Sequence, residues 1–282
     1  MRARAPASSA NLGPGFDVLA LALSLHVEVE VAPAASLEVV TTGEGADLPQ
    51  DASHLAARVA TRVVGHDRLR VSVRSDIPLG RGLGSSAALA VATAAAAGSP
   101  DPLSEGAAVD GHPENAAASV RGGLVAATFV DGRPSVRSLG LDRRLRFVVL
   151  VPDRQLPTEL ARAAVPRQVP IADVAFNLGR LGLMIAGLAD IGEMTAAAAD
   201  DRLHQGQRAA LFPEAPELLA RMREAGALFS CWSGAGPSIL AGCTAESSEG
   251  VRERGEEALA ATGVAGRAVL MSPDFEGLVV ER

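Results

Sequence analysis

The sequence feature that most constrains this fold is a turn of glycine and serine, PLGRGLGSSAA, at residues 78–88. It follows an alternating strand pattern at 69–74 and leads into an Ala-, Leu- and Val-rich segment at 85–97 that predicts a buried helix. Glycines let backbone N–H groups converge on one point, and a helix N-terminus adds free amides and the positive end of its dipole. The turn therefore predicts an anion site that can bind a polyphosphate.

The charged residues limit the chemistry that such a site can use. All 26 positively charged side chains are Arg, and the chain contains neither Lys nor Tyr. A Walker-type phosphate-binding lysine and a Schiff-base lysine are both excluded. Any phosphate chemistry must depend on backbone amides, Arg side chains and a metal ion.

Composition and charge predict a folded protein that binds small molecules. The 282 residues are 48% hydrophobic and 21% charged, which is enough for two lobes with ordinary cores. A net charge of −7 opposes binding to nucleic acid. No signal-length apolar run opens the chain, and stretches such as 83–98 are too short to span a bilayer. We expect a cytoplasmic protein with no membrane partner, and buried thiols at Cys231 and Cys243.

The first part of the chain predicts strands and helices in alternation. A helical pattern at 53–64 lies between two half-buried antiparallel strands. The predicted strands of this part are 26–31, 69–74, 124–130 and 145–151. A connection rich in proline, 152–170, places a domain boundary near residue 152, with an N-terminal lobe of 1–152 and a C-terminal lobe of 153–282.

The second part opens with helices and ends in strands. Its predicted helices are 171–189, 193–210, 216–225 and 248–262. Its predicted strands are 227–231, 238–242 and 267–271. The resulting β-β-α-β order is typical of one part of a split ferredoxin-like fold, so the chain as a whole is expected to be α+β.

Three glycine-containing motifs resemble those of the GHMP kinases, a family that includes galactokinase, homoserine, mevalonate and phosphomevalonate kinases. The turn at 78–88 is similar to the family's ATP motif, SSANLGPGFD at 8–17 to its first motif, and SGAGPS at 233–238 to its third. The resemblance implies a two-lobed GHMP-kinase fold. The N-terminal lobe would resemble domain 2 of ribosomal protein S5, and the C-terminal lobe would be ferredoxin-like.

Three further motifs resemble the homoserine kinase branch of this family. They are GHPEN at 111–115, TELAR at 158–162 and DRLHQGQR at 201–208, which are similar to GHPDN, TEEAR and DRLHQPYR. The resemblance implies ATP-dependent phosphorylation of the L-homoserine hydroxyl to O-phospho-L-homoserine, in threonine biosynthesis. It also suggests a homodimer.

The resemblance assigns the nucleotide and metal ligands. The residues expected to contact ATP are Pro78, Leu79, Gly80, Arg81, Gly82, Leu83, Gly84, Ser85, Ser86, Ala87, Gly234, Gly236 and, near the adenine, His54. Mg²⁺ would bridge the phosphates and take Ser86 and Asp110 as ligands, with Glu105 as an alternative to Asp110.

The resemblance also assigns the acceptor side. Arg162 and Arg208 would bind the homoserine carboxylate as guanidinium forks. The residues expected to contact the rest of the substrate are Glu114 and Asn115 at the amino-acid head, Asn11 and Asp17 at the hydroxyl, and Thr158 beside it. Asp17 is the first candidate for a base, although phosphoryl transfer can proceed without one. His204 is expected to be structural.

Several positions depart from the family pattern. The segment 98–109 is shorter than in other members, so part of a helix is expected to be missing. Asp110 stands where the family has Glu, Glu114 where it usually has Asp, and His54 where it often has Asn. Two alternatives therefore stay open: a kinase for another small carboxylate-bearing alcohol, and a non-catalytic nucleotide-binding paralogue.

Overall fold

The computed structural model describes residues 1–281 of the chain. The strands are β1 (Arg2–Ala10), β2 (Leu19–Pro33), β3 (Glu38–Gly43), β4 (Leu69–Ser75), β5 (Leu124–Val130), β6 (Arg133–Leu139), β7 (Leu145–Pro152), β8 (Phe229–Trp232), β9 (Ile239–Thr244), β10 (Gly266–Met271) and β11 (Val279–Glu281). The α-helices are α1 (Leu55–Val64), α2 (Ser85–Ala96), α3 (Pro102–Asp110), α4 (Glu114–Arg121), α5 (Thr158–Ala163), α6 (Ile171–Ala189), α7 (Gln205–Arg208), α8 (Ala215–Glu224) and α9 (Ser248–Ala261).

The first sheet is built around the long strand β2. Its order is β11-β1-β2-β4-β3, and β5 pairs with β2 and with β6. Strands β2 and β4 are antiparallel, with Val29 opposite Val73, which confirms the predicted pairing. Alternate residues of β2, such as Val27 and Val29, are buried because successive side chains of a strand point to opposite faces.

Helix α2 follows the glycine turn and packs in the core against β1 and β2. Nine of its twelve residues are buried, and they are almost all Ala, as the sequence predicted. Small side chains on every side allow close packing against strands and neighbouring helices. The N-terminus of this helix, which opens the predicted anion site, is therefore held by the core.

The second sheet has the order β10-β7-β9-β8, and each neighbouring pair is antiparallel. With α8 before β8 and α9 before β10, these elements give the β-α-β-β-α-β order of a ferredoxin-like fold. The two cysteines are buried in this sheet, as predicted, and burial raises the pKa of Cys231 to about 12 and of Cys243 to about 11.

The predicted division at residue 152 does not coincide with the boundary between the sheets. Strand β7 precedes that residue but pairs inside the second sheet, and β11, at the end of the chain, returns to β1. The C-terminal segment is also tied to β2, because Asp274 lies 2.7 Å from the His26 imidazole. Strand β7, from the predicted N-terminal lobe, therefore belongs to the second sheet. Strand β11, from the predicted C-terminal lobe, belongs to the first sheet.

The continuous helix predicted at 193–210 is wrong. The structure has two short 3-10 turns, Ile191–Glu193 and Ala196–Ala199, and then the single turn α7. The reason is Asp201, whose carboxylate accepts the amide protons of Leu203, His204 and Gln205. Side chains that bond to nearby amides in this way compete with the helical ladder.

Three helices, α3, α4 and α5, occur where no helix was predicted from the sequence. Helix α3 occupies most of the shortened segment, beginning at Pro102 after the capping side chain of Asp101. Helix α5 lies in the proline-rich connection and carries Thr158 at its first position and Arg162 one turn later. A Pro-Thr-Glu start was the available signal for α5.

Helix α6 is long and apolar enough, by length and composition, to cross a membrane, which the sequence analysis did not single out. Its inner side nevertheless belongs to the fold. Met184 and Leu188 lie in the main core, and the buried Asn177 side chain donates to the Asp201 carboxylate at 2.6 Å. The helix thus holds the Asp201 turn in place.

Candidate active site

The glycine turn is folded tightly against two other loops. Gly80, Gly82 and Gly84 all have left-handed φ angles, of 65°, 70° and 63°. A Cβ on Gly82 would lie 2.1 Å from the Ser233 carbonyl oxygen, and one on Gly84 would lie 2.0 Å from Ser8 Oγ. Only glycine combines this conformation with such a close approach.

Hydrogen bonds join the turn to the same two loops. The Ser8 amide donates to the Leu83 carbonyl at 3.1 Å, and Ser233 Oγ donates to the Gly82 carbonyl at 2.7 Å. The Gly234 amide in turn donates to the Ala10 carbonyl at 3.0 Å. Three motifs that lie far apart in the sequence therefore form one structural unit.

The N-terminus of α2 is open toward the cleft beside this unit. Gly84 is the N-cap residue, and within residues 1–281 no side chain caps it. The first amides of a helix have no intrahelical acceptor, so those of Ser85, Ser86 and Ala87 are available to an anion together with the helix dipole. This geometry supports the phosphate site that the sequence predicted.

Asn11 fixes the loop between β1 and β2 that contains the first motif. Its φ is 73°, its Nδ2 donates to the Gly234 carbonyl at 2.9 Å, and its Oδ1 accepts the Asp17 amide proton at 3.0 Å. Asp17, also left-handed with φ 56°, is thereby held at the edge of the cleft. The side chain of Asn11 is thus committed to positioning Asp17 and the third motif.

A cleft of about 640 Å³, including the part open to solvent, brings the motifs together. Of the predicted site residues, those that line it are Asn11, Asp17, Gly80, Gly82, Leu83, Gly84, Ser85, Ser86, Asp110, Glu114, Asn115, Thr158, Arg162, Arg208 and Gly234. Every residue predicted for the acceptor side lines this cleft, beside the open end of α2.

Two Arg residues approach the cleft in different ways. Arg162 is partly exposed and forms a bidentate pair with Asp17, with Nη2 to Oδ1 at 2.7 Å and Nη1 to Oδ2 at 3.2 Å. Arg208 is only 2% exposed, and burial followed by the charge of Arg162 lowers its pKa to about 10. The Arg208 guanidinium therefore still carries positive charge at neutral pH, and this end of the cleft attracts anions.

The acidic and amide groups of the GHPEN motif form another part of the cleft wall. Asn115 Oδ1 accepts a hydrogen bond from Ser8 Oγ at 2.8 Å, which directs its amide group. Glu114 is 1% exposed, and within the described chain its Oε2 atom has no hydrogen-bond partner. His112 Nδ1 lies 2.5 Å from Glu114 Oε1. A buried carboxylate oxygen of this kind suits a cationic ligand.

Charges in this wall shift two pKa values upward. Burial raises the pKa of Asp110 above its ordinary value, and the Glu114 carboxylate adds to the shift. For His112, burial lowers the pKa but the hydrogen bond and charge of Glu114 outweigh it, so the net shift is upward. His112, Ala10 and Ala235 line the cleft and were missed as site residues, although each lies in or beside a recognised motif.

Several predicted nucleotide residues lie behind the cleft wall. Arg81 donates to the Pro152, Asp153 and Leu79 carbonyls, which fixes the turn against the 152–153 connection. Ala87 is buried in α2, and Gly236 packs on the Trp232 ring, where a Cβ would lie 2.4 Å from it. Pro78 and Leu79 lie at the start of the turn.

His54 lies in a second pocket beside the turn. Its Nδ1 accepts the Ala56 amide proton at 3.2 Å, and its Nε2 is 3.3 Å from Thr41 Oγ1. The pocket is lined by Leu48, Pro49, Ser53, His54, Leu55, Leu79, Ser85, Ser86 and Leu89. The mainly apolar walls suit a flat ring, and His54 offers it a ring face, since its nitrogen atoms already have partners.

Comparisons with known proteins point to one family. Residues 52–123 match the GHMP kinases N terminal domain, and residues 183–264 match the GHMP kinases C terminal domain. Homoserine kinase from Leifsonia xyli is 38% identical over 99% of this chain and 91% of its own length. The chain belongs to the GHMP kinase family. Homoserine kinase from Desulfitobacterium hafniense is 34% identical to this chain, over 99% of each protein.

Solved structures place this GHMP kinase beside homoserine kinases in fold. The crystal structure of homoserine kinase from Cytophaga hutchinsonii superimposes with a TM-score of 0.86 at 25% identity, covering 100% of this chain and 97% of the other. Mevalonate kinase from L. major, at 16% identity and a TM-score of 0.69, shares the fold over 97% and 96% of the two chains. The two-lobed α+β fold is therefore confirmed.

The residues of the cleft fit a magnesium ion. Ser86 and Asp110 both line it, and their hydroxyl and carboxylate oxygens are the hard ligands that Mg²⁺ prefers. Asp17, His112 and Glu114 form a second group whose ligand atoms lie within 4.8 Å of one another. The alternative, Glu105, instead pairs with Arg62 on the surface. Asp110 is therefore the better-placed of the two predicted carboxylates.

Proposed function

We propose that this GHMP kinase transfers the γ-phosphoryl group of ATP to the side-chain hydroxyl of L-homoserine. The P–O bond to ADP breaks as a bond to the homoserine oxygen forms, and the product is O-phospho-L-homoserine. The observation that carries the proposal is the meeting of the open α2 N-terminus with Arg162, Arg208 and Glu114 in one cleft. The homoserine kinase relatives support the same substrate.

The acceptor side matches the charges of an amino acid. The two guanidinium groups would bind the α-carboxylate, and the unpartnered Oε2 atom of Glu114 would accept the ammonium, with the Asn115 amide beside it. Asp17 and Thr158, which line the same cleft, would then meet the hydroxyl. A neutral alcohol such as a sugar would leave the buried Glu114 Oε2 atom without a partner, which costs binding energy.

Asp17 would orient the hydroxyl and leave proton removal to a late stage. Arg162 donates a hydrogen bond to each carboxylate oxygen, which holds the carboxylate in one orientation. The transition state of phosphoryl transfer is loose in most analyses, so alignment and charge neutralisation contribute more than proton abstraction. Asn11 supports this function by holding the Asp17 amide.

Ser86 and Asp110 would hold Mg²⁺ with ATP on the nucleotide side. The ion supplies charge neutralisation of the transferring phosphate when bound. The Ser85–Ala87 amides and the glycine turn would hold the phosphates, and the second pocket would take the adenine against His54. EDTA should abolish turnover, and added Mg²⁺ should restore it.

We also propose that the enzyme acts in the cytoplasm, serves threonine biosynthesis and forms a homodimer. The buried bonds of α6 to the Asp201 turn support its role as part of the fold and not as a membrane segment. Size-exclusion chromatography with light scattering tests the dimer.

A panel of acceptors tests the substrate. ADP release would be measured with ATP, Mg²⁺ and homoserine, mevalonate, galactose or shikimate in turn. We expect turnover with homoserine well above that with the others. Turnover preferring another acceptor would favour the alternative of a different carboxylate-bearing alcohol, and ATP binding without any turnover would favour a non-catalytic paralogue.

A further inference from the structure

The His204 side chain is fully buried behind the acceptor side of the cleft. Its Nε2 atom lies 2.7 Å from the Gly13 carbonyl oxygen, and its Nδ1 atom lies 3.0 Å from Nη1 of Arg208. The ring stacks on Phe16, with centroids 5.1 Å apart. His204 therefore contacts both the loop that carries Asp17 and the guanidinium expected to bind the substrate carboxylate.

These two contacts determine the tautomer of His204. A carbonyl oxygen can only accept a hydrogen bond, and a guanidinium can only donate one. The ring must therefore be neutral, with its proton on Nε2 and a free lone pair on Nδ1. Burial lowers the pKa of His204 to about 4, in agreement with this state. Asp201 Oδ2, which is 3.7 Å from Nε2, lies beyond hydrogen-bond distance.

The contact to Nδ1 is one of three that fix Arg208. Its Nε donates to the Ala161 carbonyl at 3.2 Å, and Nη1 donates both to His204 and to the Gly234 carbonyl at 2.9 Å. These bonds use the protons of Nε and Nη1 and leave the Nη2 group for a ligand. Without His204, one proton of Nη1 would lose its acceptor.

The contact to Nε2 fixes the other side of the acceptor site. Gly13 lies four residues before Asp17 in the loop between β1 and β2, and Phe16, which stacks on His204, is adjacent to Asp17. A Cβ on Gly13 would lie 2.6 Å from the Ala199 carbonyl oxygen, so the loop is packed closely against the turn that precedes His204. The same ring thus restrains both elements.

We propose that His204 is a positioning residue that aligns Asp17 and Arg208 with each other. Its Nδ1 lone pair orients the Arg208 fork, and its Nε2 proton anchors the loop that presents Asp17. The inference rests on the proposed function. It assigns His204 a role that does not require contact with the phosphates or with the substrate. It predicts that the Nδ1 contact to Arg208 and the Nε2 contact to Gly13 affect different kinetic parameters.

Two substitutions of His204 by an amide residue each keep one of these contacts and remove the other. In His204→Asn the side-chain oxygen can replace Nδ1 and accept from Arg208, but the bond to Gly13 is lost. In His204→Gln the amide nitrogen can replace Nε2 and donate to Gly13, but Arg208 loses its acceptor. His66, which is exposed on the loop after α1, provides the matched control His66→Gln.

Steady-state kinetics with homoserine and ATP would be measured for all four proteins. We expect His204→Gln to raise the KM for homoserine roughly tenfold to a hundredfold, the effect of one hydrogen bond from a charged group. We expect His204→Asn to lower kcat by roughly tenfold while the KM for homoserine stays near that of the wild type. The KM for ATP should stay constant, and His66→Gln should behave as the wild type.

Equal changes of kcat and KM in the two variants, or no change in either, would overturn the proposal. If the variants do not fold, nitrogen NMR of His204 in the wild-type enzyme decides. A neutral ring protonated on Nε2 at pH 7 is expected, and a ring protonated on Nδ1 contradicts the proposal. A wild-type protein that does not phosphorylate homoserine would refute the proposed function, while the NMR measurement would still test the ring geometry.

Discussion

The two sides of the cleft are made from different parts of the polypeptide. The nucleotide side consists of backbone: left-handed glycines, the open first turn of α2 and carbonyls that receive the Ser8 and Ser233 hydrogen bonds. The acceptor side consists of side chains, with Arg162, Arg208 and Glu114 as its charged groups. A protein without Lys can still bind a polyphosphate, because amides and a helix dipole supply the positive potential.

Because of this difference, the two sides should respond differently to amino-acid substitutions. An added atom on the nucleotide side would meet backbone, which cannot move without displacing another loop. A changed side chain on the acceptor side alters charge or hydrogen bonding and leaves the backbone in place. Substitutions on the first side should therefore damage structure and ATP binding together, whereas those on the second should change substrate binding and turnover.

Gly82→Ala should have the largest effect and is the strongest test of the backbone side. The Cβ would lie 2.1 Å from the Ser233 carbonyl oxygen at a φ of 70°, so the third motif would have to move. We expect ATP binding to be lost and the free energy of unfolding to fall by about 2–5 kcal/mol, from overpacking and the left-handed backbone together. Calorimetry with ATP and urea denaturation would measure these effects.

Gly65→Ala is the matched control for this substitution. Gly65 caps α1 with a φ of 85°, and its Cβ position is open space. It should lose only about 1–2 kcal/mol, the backbone cost alone, and keep ATP binding. If both variants bound ATP equally, close approach would not be what requires glycine at position 82.

Arg208→Ala should have the next largest effect and tests the side-chain side. The substitution removes a charged fork and three buried hydrogen bonds, to the Ala161 and Gly234 carbonyls and to His204 Nδ1. We expect kcat/KM for homoserine to fall by roughly a hundredfold to a thousandfold, with a much smaller change in ATP affinity. The exposed Arg137→Ala serves as control. Equal loss of ATP and homoserine binding would remove the distinction between the two sides.

Asp17→Asn should have an intermediate effect and separates orientation from base catalysis. The amide keeps the shape of the carboxylate but loses the ion pair with Arg162. We expect kcat to fall by roughly tenfold to a hundredfold with the pH–rate profile unchanged in shape. A loss above about a thousandfold, together with loss of the acidic limb of that profile, would identify Asp17 as the general base.

Lowering the pH from 7 toward 4 should have the smallest effect on stability. The group that responds is His204, which lies behind the acceptor side. The pKa of His204 is about 4 in the folded protein and about 6.5 in the unfolded chain. Its contribution to stability is complete above about pH 6.5 and is lost as the pH falls toward 4, because the unfolded chain then binds the proton first. The charged groups facing it are Asp201, Arg208 and Asp17.

Denaturation of the wild type and of His204→Gln between pH 7 and pH 4 would measure this contribution. We expect the difference in unfolding free energy between the two proteins to shrink as the pH falls. Parallel stability curves would show that His204 is not held neutral by the fold. The affinity for ATP should not follow the same pH dependence.

Local patterns predicted much of the fold and most of the site. The turn at 78–88, the buried helix after it and the β-β-α-β order were evident because each depends on residues close in sequence. The 193–210 helix failed because Asp201 accepts the amide protons of Leu203, His204 and Gln205, in a position held by Asn177, 24 residues away. His112 was missed as a site residue because its position against Glu114 depends on how α3 and α4 pack.

The sequence by itself determined that no Lys can take part in binding phosphate, because it contains none, and that a turn with glycines at fixed spacing precedes a buried helix. It also determined which motifs were present. Only the tertiary structure decided that Ser8 packs on Gly84 and Ser233 on Gly82, that Arg162 faces Asp17, and that a buried His204 joins the loop of Asp17 to Arg208. Such contacts depend on the packing of elements 191 and 224 residues apart, which no local pattern records.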